Sequence, residues 1–217
     1  MVPSPVNIGD VYCSDGSILK PDSFLQSDKT AKGIVFYVDR TGMHGLVVAL
    51  SDTLCQWAPS ATMNNIHSLT RLSGNFFAAA TNMSGLENTK VIMQTAINEG
   101  DFKTNAPAAY YCYYYSHTLL GTNSSEVHEG WYLPSMGELF LMYANRVELN
   151  SSLNLLRTGI PNNKISTLKN TVTTNQPGTY WSSTEYASSN NGVWMLMEYN
   201  KNNEKNQSHY ARPITTF

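Results

Sequence analysis

Charge is scarce in this chain. Only 14% of its 217 residues are Asp, Glu, Lys or Arg, and the formal net charge is −2. A nucleic-acid-binding surface needs a basic footprint. No cluster of Lys or Arg supplies one, so nucleic acid is not expected as a partner. The same shortage leaves nothing to hold an anionic membrane surface. No stretch approaches the ~18–20 apolar residues of a membrane-spanning helix, so no direct membrane span is expected. Cysteine is scarce too. Cys13, Cys55 and Cys112 stand far apart, without the CxxC spacing of zinc or redox sites. An odd count leaves at least one thiol free. One bridge, for example Cys13–Cys55, and three unpaired, mostly buried thiols both fit the sequence.

Sequence signatures of catalysis are missing as well. The histidines, His44, His67, His117, His128 and His209, make no HExxH or other compact metal pattern. His128-Glu129 lacks a second His. No metal site and no cofactor are expected. There is no GxSxG elbow, no Walker loop and no GxGxxG. Cys112 and His117 are about 500° of helical rotation apart, too far round to meet on one face. Carboxylates paired by folding, as in glycosidases, are the one catalytic arrangement that spacing leaves open. The chain is therefore not read as an enzyme, and no catalytic residue is assigned.

Asn, Ser and Thr take the place of charge, a composition common outside the cell. The opening Met1-Val2-Pro3-Ser4-Pro5 reads as a tail or linker over 1–6, and residues 7–217 read as one domain. This length can bury most of its apolar surface without staples. Gly9-Asp10-Val11-Tyr12 suggests a first strand. The runs Gly33–Val38 and Leu46–Leu50, with Asp39-Arg40-Thr41-Gly42 between them, predict a β-hairpin. Their near-continuous apolarity predicts burial on both faces. Residues 51–84 read as long loops with room for one short helix. Glu87–Asn98 reads as a helix stopped at Gly100, and a second helix begins near Pro107, leading into the tyrosine cluster 110–115. Ser135-Met136-Gly137-Glu138 is a capping box for a helix reaching about Leu149. Residues 150–178 read as loop. Strand signals follow at Thr179–Ser183, Gly192–Tyr199 and Ser208–Ile214. Helices ahead of a late all-β segment make an α+β pattern.

Two stretches carry a resemblance: Gly130-Trp131-Tyr132-Leu133-Pro134-Ser135, continuing to Glu138-Leu139, and Tyr180-Trp181-Ser182-Ser183-Thr184-Glu185, with the closing Arg212-Pro213-Ile214. Together they resemble the bacterial surface domains of DUF1566, or the C-terminal domain of the Legionella collagen-like protein. The likeness covers roughly residues 85–217. The leader, Gly9–Tyr12 and the hairpin ending His44-Gly45-Leu46-Val47-Val48-Ala49, is similar to that of gut-bacterial members of the surface or fimbrial-tip type. The resemblance implies a C-type lectin-like fold, with two main helices packed on antiparallel sheets and an N-terminal β-hairpin. It implies a secreted or cell-surface binding or adhesion module whose export signal is absent from this chain. Its partner would be a surface protein or glycan. The alternative is a structural tip or cap subunit whose partners are other fibre subunits; a carbohydrate-active enzyme is the remaining reading. The calcium-lectin motifs are lacking: Gln176-Pro177-Gly178 has no acidic ligand.

Within Gly192–Tyr199, strand alternation puts Trp194, Leu196 and Glu198 on one face, and Met195, Met197 and Tyr199 on the other. The resemblance places the tryptophan in the core, which turns Met195, Met197 and Tyr199 outward beside the loop Tyr186–Asn191. The expected ligand-binding set is Tyr186, Asn190, Asn191, Met195, Met197, Tyr199 and Asn202, adaptable Met and Tyr side chains among asparagines. Burial of both strand faces is the rival reading. Trp131, Trp181 and Trp194 are expected as core anchors, with Arg212 tying down the last strand. Asn190, Asn191, Asn200, Asn202, Asn203 and Asn206 are similar to segments that retroelements diversify in some relatives.

Overall fold

The computed structural model describes residues 5–72, 76–118, 121–122, 129–161, 163–169, 179–195 and 203–217. Its first strand, β1 (Val11–Cys13), pairs with β2 (Ile18–Leu19), and a short helix α1 (Pro21–Leu25) leads into β3 (Ala31–Val38). The predicted hairpin follows, with β4 (Gly45–Ala49) antiparallel to β3 and Gly42 turning the corner at φ 73°. Then come β5 (Thr53–Gln56), β6 (Arg71–Leu72), α2 (Phe76–Ala80), α3 (Gly85–Asn98), α4 (Phe102–Asn105) and α5 (Pro107–Tyr113). A small hairpin, β7 (His117–Thr118) and β8 (Gly121–Thr122), precedes α6 (Met136–Ala144) and α7 (Arg146–Gly159). The chain finishes with β9 (Trp181–Tyr186), β10 (Gly192–Met195), β11 (Asn203–Glu204), β12 (Ser208–Ala211) and β13 (Ile214–Thr216).

The result is a mixed α+β molecule built on antiparallel sheets. The main sheet has the order β13-β4-β3-β1-β2, so the last strand closes onto the hairpin near the start. A second sheet, β11-β10-β9-β6, is antiparallel except where β6 lies parallel to β9. Strand β12 returns to pair with β5. No helix among the described residues is long and apolar enough to cross a membrane.

The hairpin is buried on both faces, as its apolar run predicts. Ile34, Phe36, Leu46 and Val48 pack against Met136, Leu139, Met142, Leu149, Leu153 and Leu156 of α6 and α7. The opposite face, Val35, Val47 and Ala49, packs on Tyr115 and Trp131. A separate cluster joins Trp57, Trp181, Val193 and Met195 to Ile92, Ala96, Ala108, Ala109 and Cys112 of α3 and α5. All three cysteines are free, so the Cys13–Cys55 bridge does not form.

Two expectations are corrected. The helix predicted to reach Leu149 breaks at Asn145, whose side-chain amide donates to the carbonyls of Leu141 and Phe36, both at 3.1 Å. Such side-chain bonding competes with helix continuation. Beyond the break, α7 runs through residues 150–159, read from sequence as loop. Leu149, Leu153 and Leu156, spaced at i, i+4 and i+7, give it a buried stripe. The arrangement therefore has more than two main helices.

Arg212 ties the C-terminus as expected. It is wholly buried and donates to Ala49 O (2.8 Å), to Ser166 O and Oγ, and to Asp52 Oδ2 (3.1 Å). Tyr180 donates to the same Asp52 oxygen at 2.9 Å. Arg212→Met removes this donor from the Ala49 and Ser166 carbonyls and takes from Asp52 its nearest cation, the Lys169 ammonium being 3.8 Å away. A loss of ~3–5 kcal/mol is expected, read from the urea midpoint at constant m-value; a loss below ~1 kcal/mol would contradict the tie.

Candidate functional site

The expected binding face lies around β9 and β10. Met197, Tyr199 and Asn202 fall outside the described residues. Asn190 is exposed and Asn191 half-buried on the turn between the strands. Arg71 donates to Asn190 Oδ1 at 2.8 Å, and Asn191 O accepts from the Lys205 amide at 2.9 Å. Tyr186 is half-buried and meets Trp194 edge-on, with ring centroids 5.3 Å apart.

Met195 is a correction. It is only 3% exposed and belongs to the cluster of Trp57, Trp181 and Val193. The two-residue alternation holds, but its sense is inverted. Val193 and Met195 face that core, while Trp194 turns the other way, packs on Phe76 and Tyr186, and donates its indole N–H to Leu72 O at 3.0 Å. Both faces of this stretch are covered, because Phe76 of α2 packs on Trp194 on the side opposite α3 and α5. An irregular register between Val193 and Met195 accompanies the inversion. The described part of the expected set thus reduces to half-buried Tyr186 at the end of β9 and a polar turn with Asn190 exposed and Asn191 half-buried.

Strand β9 itself is buried along Trp181–Glu185, and its hydroxyls are used internally. Ser182 Oγ donates to Trp194 O at 2.6 Å, Ser183 Oγ accepts from Asn88 Nδ2, and Thr184 Oγ1 accepts from the Met136 amide. Glu185 does more than end a strand. Its carboxylate has no solvent exposure and accepts from Lys205 Nζ at 2.7 Å and the Ser68 amide at 2.6 Å, with His67 Nδ1 at 3.4 Å and Arg71 Nε at 3.8 Å. Burial pulls the Lys205 ammonium below the ordinary lysine value, opposed by Glu185.

A cleft of about 430 Å³ opens elsewhere, between the end of the β3–β4 hairpin and the start of α3. Sequence reasoning missed it as a site. Its walls include Tyr37, Leu46, Met83, Leu86 and Tyr132, and its carboxyls are Asp39, Glu87 and Glu138. None of the lining residues is Lys or Arg. Glu138 is the helix-capping residue foreseen in the capping box, so its motif pointed only to a helix start. It is 3% exposed, and it accepts from the Ser135 amide at 2.7 Å and from the Tyr132 hydroxyl at 3.1 Å. Gly85 lets α3 approach: a Cβ there would sit 2.1 Å from Glu138 Oε2. Burial pushes the Glu138 carboxyl up, against the donors from Ser135, Tyr132 and Gly85. Among the described residues, no group of three or more His, Cys, Asp or Glu is placed to hold a metal ion.

These placements yield two expectations. A raised folded value means that the native state holds the Glu138 proton longer than the unfolded chain does. Its contribution to stability is full below the ordinary Glu value and is lost as pH rises through the folded one. Glu138→Gln, which keeps the cap, should flatten that part of a stability–pH curve; an unchanged slope would refute the assignment. Met195→Ala should cost ~2–5 kcal/mol as a core truncation. A chemical-denaturation loss under ~1 kcal/mol would restore the outward-facing reading.

No protein-family model matches the chain, so the DUF1566 resemblance rests on its motifs alone. No curated protein matches it either. Among solved structures, the chain is similar to the crystal structure of a fimbrial protein from Bacteroides ovatus ATCC 8483. The TM-score is 0.65 and the identity 19%, over 98% of this chain and 49% of that one. The chain thus spans about half the length of that fimbrial protein, and the likeness is one of fold.

Proposed function

We propose that this chain is an extracellular, non-enzymatic module of a bacterial surface fibre that displays a binding face. The fold likeness to a fimbrial protein carries this reading, because it extends over 98% of the chain. Composition supports it: charge is low and uncharged polar residues outnumber charged ones, as on many extracellular surfaces. The finer parts belong to the same reading. They are a C-type lectin-like, DUF1566-type fold, one domain over 7–217 behind a tail of 1–6, and a surface protein or glycan as ligand. Binding would use Tyr186 and the polar turn of Asn190 and Asn191 together with Met197, Tyr199 and Asn202. A rigid scaffold with variable surface loops suits such display.

The rival within this reading is a structural tip or cap subunit, favoured by the same fimbrial fold. Deleting the gene in its native host separates the two. Surface fibres are sheared off, counted by electron microscopy and probed with antibody to this chain. For a binding module, the chain sheds with the fibres, and deletion abolishes adhesion while fibre number stays within about twofold. Loss of the fibres themselves would make it a structural subunit. A chain confined to the cytosol would overturn both.

A further inference from the structure

We infer that the cleft between the β3–β4 hairpin and α3 binds an ammonium group carried on an aliphatic stem, the chemistry of a lysine side chain. The cleft is distinct from the polar turn of β9–β10, and the inference does not depend on fibre membership.

Size, wall chemistry and charge carry the argument. A volume of about 430 Å³ lies in the range of small-ligand sites. Leu46, Leu86 and Met83 give the stem an apolar path, and Met83 is 47% exposed, available to a ligand. Tyr37 and Tyr132 add aromatic rings, which attract cations at their faces. The titratable lining also holds three carboxyls and one histidine, His44, with no lysine or arginine, so the acidic groups outnumber the one imidazole and the field in the cleft favours a cation over an anion.

The carboxyls differ in role. Asp39, at the hairpin tip, is kept ionised below the ordinary carboxylate range, first by the Thr41 hydroxyl and then by backbone amides of the turn. Thr41 takes one of its oxygens, Oδ1, through both its amide and its hydroxyl. Glu87, in the first turn of α3, pairs with Lys90 at 2.8 Å. That pair is about half exposed on both sides, and exposed i,i+3 pairs are weak, so an incoming ammonium can displace Lys90. Glu138 is committed to its cap and shapes the floor. The site is therefore an apolar slot with carboxylates at its mouth.

The test is calorimetric titration of the purified chain with hexylammonium, 1-hexanol and hexanoate, which share a stem and differ in head group. Amide-shift mapping locates the bound molecule. Hexylammonium is expected to bind at least tenfold tighter than either analogue, with shifts at Leu46, Leu86 and Thr216. The double variant Asp39→Asn/Glu87→Gln should erase that preference while still binding hexanol. Thr216→Trp, at an exposed lining position, should weaken all three ligands by filling the slot. Circular dichroism and melting verify the fold of each variant. A capped lysine dipeptide identifies the source. If it binds as well as hexylammonium, the cleft takes a polypeptide side chain; if only the free amine binds, it takes a small amine. Equal affinity for the three head groups, shifts confined to other surfaces, or no hexylammonium binding at millimolar concentration would overturn the inference. None of these outcomes bears on whether the chain is found in fibres.

Discussion

A carboxylate and an ammonium withdrawn wholly from water constrain much of this molecule. Glu185 and Lys205 both have side chains with no solvent exposure. Each ion costs several kcal/mol to desolvate, and their attraction offsets this only if the remaining donors and acceptors are satisfied. Here they are. Lys205 Nζ has three protons and gives them to Glu185, Met63 O and Ile66 O, while Trp57 supplies a ring 4.6 Å away. Glu185 takes Lys205 on one oxygen and the Ser68 amide on the other. Segments far apart in sequence must therefore converge: the 63–68 loop, the end of β9 and the turn that follows β11. The backbone repeats the tie, since the amides of Trp57 and Ala58 both donate to Lys205 O at 2.9 Å.

The constraint explains why β9 is rich in hydroxyls although it is buried. Its neighbours on β10, α3 and the start of α6 present polar groups to it, and an apolar strand would leave them unpaired at a cost of ~1–3 kcal/mol each. Ser182, Ser183 and Thr184 meet Trp194 O, Asn88 and the Met136 amide instead. With Glu185, they fix the second sheet against α3 and the start of α6. That same corner carries Asn82, whose carbonyl accepts from Ser135 Oγ and whose side chain accepts from Thr184. The cleft floor at Glu138 is thus braced from the strand that holds the buried ion pair, and a rigid floor is what a selective slot requires.

Local patterning made part of this legible. The hairpin, the helix before Gly100, the helix at Pro107 and the capping box each announce themselves within about fifteen residues, and each is present. What needed the third dimension was sidedness and pairing. The tryptophan of Gly-Val-Trp-Met was expected inward from the family resemblance, yet its half-buried indole reaches Leu72 O while Met195 takes the core. A two-residue repeat gives alternation and not its sense, and an error of sense exchanges the faces. Lys205 stands among asparagines, and nothing local marks it as the partner of a glutamate twenty residues earlier. The cleft was equally invisible. Asp39, Glu87 and Glu138 come from a turn and two helices, and only the fold brings them together.

The Glu185–Lys205 pair thus holds the 63–68 loop, β9 and the turn after β11 as one unit. A double-mutant cycle of Glu185→Gln, Lys205→Met and the two combined, read by equilibrium urea unfolding, tests it most directly. Each single change should cost ~3–5 kcal/mol by stranding its partner, and the double variant should lose clearly less than their sum, with a coupling of at least ~1.5 kcal/mol. Losses that add to within ~0.5 kcal/mol would show the two side chains to be energetically independent, and would contradict the account.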